Sequence, residues 1–161
     1  MGNSLDRIAD LVWPALALVQ RMLSVVPIVA GLIVEWLALW LGGFGLKWKK
    51  AIVVDVVMNA ASALIGLFLI PALGMGWHYG PGQLIDRLIP IGMTFHIDSL
   101  AAYVIAVAVT TAIEAAVVRW GFKIRLGARR FAILLGANAI SVGFAFVSVI
   151  MHPAPLPGLR H

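Results

Sequence analysis

VEWLALWLGGFGLKWKKAIVVDVVMNAASALIG, residues 34–66, settles the architecture, because IEAAVVRWGFKIRLGARRFAILLGANAISVGFA, residues 113–145, repeats its plan. In each stretch an acid inside an apolar run is followed 24 positions later by an Asn that opens the pattern Asn-x-x-Ser-x-x-x-small. Glu35 and Glu114, Lys50 and Arg129, Asn59 and Asn138, Ser62 and Ser141, and Gly66 and Ala145 all pair at one offset of 79 residues, close to half of the 161-residue chain. Self-similarity at a fixed period marks an internal duplication. A carboxylate inside hydrocarbon is expensive, so its recurrence in both halves makes the pair of Glu the leading candidates for chemistry or specificity.

Working outward, 62% of the residues are hydrophobic, 12% are charged and the mean hydropathy is +1.01. Such a chain lacks the polar groups to cover a water-facing surface, which points to an integral membrane protein. A span needs ~20 mostly apolar residues. Four segments qualify, at roughly Val25 to Leu46, Ala51 to Met75, Ile97 to Arg119 and Phe131 to Met151. The expected fold is therefore an all-α, single-domain membrane bundle of four transmembrane helices. It consists of two tandem helical hairpins, repeat 1 over about 4–80 and repeat 2 over about 83–152. Each half holds an even number of spans, so the two enter the membrane in the same direction, as parallel repeats.

A short amphipathic piece precedes the core of each half. Ser4 to Gln20, with Ser4 as an N-cap and Pro14 as an interruption, is too short in apolar length to span and suits an interfacial position. Gln83 to Pro90 carries Asp86-Arg87 as the first piece carries Asp6-Arg7. The N-terminus lacks the basic region and small-residue cleavage site of a signal peptide, so its retention is expected. The tail from His152 onwards, His-Pro-Ala-Pro-Leu-Pro-Gly, reads as extended polyproline-like chain.

A pI near 10.3 raises nucleic acid as a partner, but the placement of charge argues against it. Eight of the twelve basic residues gather at two hairpin ends, Lys47, Lys49 and Lys50 in one and Arg119, Lys123, Arg125, Arg129 and Arg130 in the other, with no acid in either loop. Arg7, Arg21, Arg87 and Arg160 fall on the opposite side and are offset by Asp6, Asp10, Asp86 and Asp98. The positive-inside rule puts both basic loops in the cytoplasm and both termini outside, with a bacterial inner membrane as the expected location. Lys47, Lys49, Lys50, Lys123, Arg125, Arg129 and Arg130 are then read as contacts to anionic lipid head groups. Trp48 and Trp120 mark the inner interface and Trp77 with Tyr79 the outer one.

Asp55, Asn59, Ser62 and Gly66 fall at steps of four, three and four, so they share one face of the second span; Asn138, Ser141 and Ala145 form the corresponding face of the fourth. Glu35 and Asn59 each lie twelve residues from Lys47, about 18 Å along the axis at about 1.5 Å per residue, and should meet at one depth. The same count about Leu126 pairs Glu114 with Asn138. This predicts a Glu to Asn hydrogen bond within each hairpin, with Ser62 or Ser141 of that hairpin as a third partner. Asp55 has no counterpart, since Leu134 stands in its place, and this lone intramembrane acid is read either as a functional acid or as a group near the inner interface, served by Lys49 or Lys50.

Two readings of this network compete. In one, Glu35, Asn59, Ser62, Glu114, Asn138 and Ser141 are clasps between helices, with each carboxyl protonated and donating a hydrogen bond. In the other, the two Glu exchange protons or a cation with a substrate, along a polar path that Tyr103, Thr110 and Thr111 offer only in the second half. A third constellation, Met75 with His78, Met93 with His96 and Met151 with His152, collects at the outer face; thioether plus imidazole suits Cu(I) or haem. Interfacial His and flexible Met also simply fill helix ends.

No Cys is present, which excludes thiolate chemistry, and no His-Glu-x-x-His, Gly-x-Ser-x-Gly or phosphate-cradling loop occurs. The leading expectation is thus a non-enzymatic small membrane protein without a cofactor. It would work by helix-helix association, as an accessory subunit or as a binder that restrains another membrane protein, with other membrane protein subunits or further copies of itself as partners. The alternative is a proton- or cation-coupled small transporter, and the second alternative a copper or haem protein.

Overall fold

The computed structural model describes residues 25–88 and 94–151, and these are helical apart from the connections. The helices are α1 (Val25–Leu41), α2 (Trp48–Trp77), α3 (Gln83–Leu88), α4 (Thr94–Ala116) and α5 (Ala128–Met151). Three helical stretches, Trp48–Ile85, Ser99–Gly121 and Ala128–Val147, are long and apolar enough to cross a membrane. The helix α1 has 17 residues. Around the outside, Ile33, Leu64, Phe68, Val104 and Ile140 are among many large apolar side chains left exposed. The piece expected at Ser4 to Gln20 lies outside the described residues.

Gly43 and Gly45, with φ of 78° and 72°, turn the chain after α1 in a left-handed conformation that only glycine adopts freely. The hairpin is braced by Trp36, which stacks on Trp40 at 5.7 Å and donates from its indole Nε1 to the Trp48 carbonyl at 3.4 Å. In the other loop Lys123 takes the left-handed conformation, φ 57°, without being glycine.

The end of α2 away from the basic loops differs from the separate amphipathic piece expected there. The helix runs on through one wide turn, His78–Gly82, directly into α3. Pro81 lies in that turn: it has no N–H to donate to the preceding turn, and a widened turn accommodates that loss. A second wide turn, Val117–Gly121, ends α4, with Phe122 N donating to Val117 O at 3.1 Å.

The four long helices form a closed ring in which α1 packs mainly on α5 and α2 mainly on α4; the contacts inside each hairpin, α1 with α2 and α4 with α5, are smaller. Small residues make this closeness available. Ala51, Ala102, Ala106, Ala137 and Ala145 are all buried, and small side chains let helices approach one another closely. Two apolar layers result. One, toward the basic loops, holds Leu39, Phe44, Val54, Met58, Val118 and Leu134; the other holds Ile70, Ala106, Val109 and Val142. The polar residues of the helices lie between them.

Arg130 has partners within the protein. Its Nε donates to Gly43 O at 3.0 Å, its Nη1 to Arg125 O at 2.7 Å, and its guanidinium lies 5.8 Å from the centre of the Phe44 ring. One side chain thus ties the two basic loops together, because a planar fork reaches two carbonyls at once where an ammonium does not. Lys47, Lys49, Lys50, Lys123, Arg125 and Arg129 are exposed. Arg130→Ala is expected to cost about 1 kcal/mol and to speed tryptic cutting at Lys47 to Lys50. Arg130→Lys should not restore resistance; a digest unchanged by Arg130→Ala would show that the clamp does not hold the loop.

Candidate functional site

The polar layer is built from side chains on four helices. Asn59, on α2, donates from Nδ2 to Glu35 Oε2 on α1 at 2.5 Å, and also lies within reach of Asp55 O and Asp55 Oδ1, at 3.1 and 3.2 Å. Asn138, on α5, donates from Nδ2 to Glu114 Oε2 on α4 at 2.5 Å and to Leu134 O at 3.2 Å. Each Glu therefore sits at the depth of the Asn of its own hairpin, as equal distance from the turn requires.

The serines do something else. Ser62 Oγ, on α2, donates to Glu114 Oε1 of the other hairpin at 3.3 Å, and shares its proton with Asn59 O at 3.1 Å. Ser141, on α5, is in turn the second hydrogen-bond partner of Glu35 on α1. The third partner expected from within each hairpin is thus exchanged between hairpins. The cause is packing: α1 lies chiefly on α5 and α2 on α4, so the serine nearest each carboxyl comes from across the bundle. Gly31, one turn before Glu35, makes the approach feasible, since a Cβ there would overlap the Ser141 hydroxyl outright.

Asp55 also differs from its expected role. It is buried, at 3% exposure, and its carboxyl faces Asn59 and the Glu35 carboxyl, while Lys49 and Lys50 stay exposed and Lys49 Nζ lies 5.4 Å from the Trp48 ring centre. Three acids consequently share one cluster whose hydrogen-bond partners are amides, hydroxyls and backbone. Glu35 and Glu114 are each 1% exposed.

One side of the cluster is open. A cleft of about 310 Å³ runs from Pro27 and Ile28 on α1, past Gly66 and Ile70 on α2, to a floor of Asn59, Ser62, Thr110 and Ser141. It opens between α1 and α2, in the first half, whereas a polar path was expected only in the second. There Tyr103 closes the gap: its hydroxyl donates to Ala139 O at 2.8 Å and its ring packs on Phe146 at 5.2 Å. At the 79-residue offset the first half has Ser24 and Leu67 in place of Tyr103 and Phe146, an asymmetry readable in the sequence but silent until packing is known. Thr110 turns its hydroxyl back to Ala106 O at 2.9 Å, and the buried Thr111 Oγ1 has no partner among the described residues.

Comparison with protein-family models, with curated proteins and with solved structures gives no match.

At the end away from the basic loops, Met75 is exposed on α2, and His78, His96 and Met151 belong to helical backbone. Met93 and His152 lie outside the described residues. Among the described residues no group of three His or acidic side chains is placed to hold a metal ion.

Proposed function

We propose that this chain is an integral membrane protein of four spans, made of two hairpin repeats that enter the bilayer in the same direction, and that it is a small proton- or cation-coupled carrier. Support for the spans comes from three helices of sufficient length and from α1, whose 17 residues meet the lower end of the ~17–25 residues of a span. The matched pairs Glu35 with Asn59 and Glu114 with Asn138 support the repeat.

The observation that carries the coupled reading is the gathering of Glu35, Asp55 and Glu114 in one buried cluster whose partners are all uncharged, one hydrogen bond behind the Asn59, Ser62 and Ser141 floor of an open cleft. A clasp between helices needs a donor and an acceptor, which amides supply without charge. Three carboxyls together bring a need for protons or a cation, and groups this close titrate as one set. The chemistry requires no covalent step: protons leave the cluster as a cation arrives, and return as it departs.

The experiment is proton movement in reconstituted vesicles under an imposed cation gradient. Wild-type protein should move protons, and Glu35→Gln with Glu114→Gln should abolish the movement; flux indifferent to the double change rejects the carrier. A second reading, an accessory subunit that associates with another membrane protein, is favoured by the dryness of both Glu and their tight amide partners, which suit a sealed clasp. It predicts that the same double variant loosens assembly and carries no flux phenotype.

A further inference from the structure

Resting on the carrier reading, we infer that the cleft between α1 and α2 is its substrate site and that it takes a lipophilic ammonium ion, with the alkyl body between the helices and the N–H groups at the polar floor. Its volume, about 310 Å³, lies at the lower end of the range of roughly 300–1,000 Å³ typical of small-molecule sites. Ile28, Val56 and Leu67 line the cleft and are 40%, 52% and 43% exposed, so it opens onto the apolar flank of the bundle and not onto a loop end. A ligand that enters sideways through that flank needs an apolar body.

The floor specifies the other end. Asn59 commits its Nδ2 to Glu35 and Asp55; Ser62 commits its hydroxyl proton to Asn59 O and Glu114; Ser141 bonds Glu35; Thr110 donates to Ala106 O and Val107 O. Every polar side chain at the floor has spent its donors inward, and what remains for a ligand is acceptor capacity, the Asn59 Oδ1 and the hydroxyl lone pairs. A carboxylate or phosphate brings only acceptors and finds no partner there. An ammonium brings only donors, and one hydrogen bond behind the floor stand the carboxyls of Glu35, Asp55 and Glu114, which complement its charge. Tyr103 and Phe146 fill the equivalent gap of the second half, so among the described residues the site belongs to the first half.

The test is saturable binding of octylammonium to the full chain in lipid nanodiscs, corrected for protein-free discs, with 1-octanol and octanoate as uncharged and anionic matches. Octylammonium should bind at least about tenfold more tightly than either, a difference of about 1.4 kcal/mol. Ala60→Phe and Ala63→Phe, at cleft positions exposed to the outside, should each remove binding, while Ala108→Phe, exposed on α4 away from the cleft, should not. Equal binding of octanol, or octylammonium binding untouched by both cleft variants, overturns the site. Repeating the titration at mildly acidic and mildly alkaline pH separates it from the carrier reading. Tight binding with one affinity at both keeps the site and removes proton coupling; proton flux lost in Glu35→Gln with Glu114→Gln, without saturable octylammonium binding, keeps the carrier and removes the site.

Discussion

Asn138→Leu is expected to destabilise the bundle by about 2–3 kcal/mol, the higher end of what leaving a buried polar group without its partner costs. Asn138 is 1% exposed and supplies the short hydrogen bond to Glu114 Oε2. With Leu there, Ser62 still serves Oε1 at 3.3 Å, but Oε2, on a side chain only 1% exposed, loses its Asn138 donor. A typical interhelical hydrogen bond in a membrane contributes only about 1–2 kcal/mol at most, so most of the loss is the stranded carboxyl. Removing it as well, in Asn138→Leu with Glu114→Leu, should therefore recover part of the stability. Asn59→Leu should cost less, because Asn59 is only half-buried and borders the cleft. Unfolding in mixed micelles, followed by circular dichroism, measures all three. Equal losses for the two Asn variants would mean that the cleft offers Glu35 no relief and that the halves are equivalent in energy.

Gly31→Ala should produce the second large effect, about 1–3 kcal/mol of destabilisation from overpacking. The added methyl meets Ser141 Oγ with no room to spare and stands 3.9 Å from Glu35 Oε1. Either α1 moves off α5 or Ser141 turns away and Glu35 loses its partner from the other hairpin. Exchanging the methyl, in Gly31→Ala with Ser141→Gly, should return more than half of the loss, since the double change removes the overlap while still omitting the hydrogen bond. Strictly additive single effects would place the damage elsewhere, in the helix backbone or in lipid contacts. The contrast with Gly43 is instructive. No atom lies within 4 Å of a Cβ built there, so its requirement for glycine comes from φ alone.

Much of the polar layer follows from counting. Twelve residues on either side of Lys47 put Glu35 and Asn59 at the same height, whatever surrounds them, because the rise per residue of a helix is constant. Steps of three and four put Asn59, Ser62 and Gly66 on one face for the same reason. Neither argument says which helix that face meets. Ser62 reaches Glu114 and not Glu35 because α2 docks mainly on α4, and that docking depends on side chains of both helices at once, Ile70 with Ala102 and Ala106. Asp55 was misplaced by a similar gap: Lys49 and Lys50 are close along the chain, yet the face that carries Asp55 turns inward and theirs turns out.

By itself the amino-acid sequence determined the helical class, the apolar lengths, the duplicated spacing and the depth of each polar group, all of which are properties of one chain segment and its period. Tertiary structure decided the exchange of serines between hairpins, the grip of Arg130 on both loops, and the opening of a cleft in the first half where Tyr103 and Phe146 close the second. These depend on contacts between surfaces distant in the chain. Whether a gap is filled depends on the volumes of all the side chains that border it, and no single segment contains that sum.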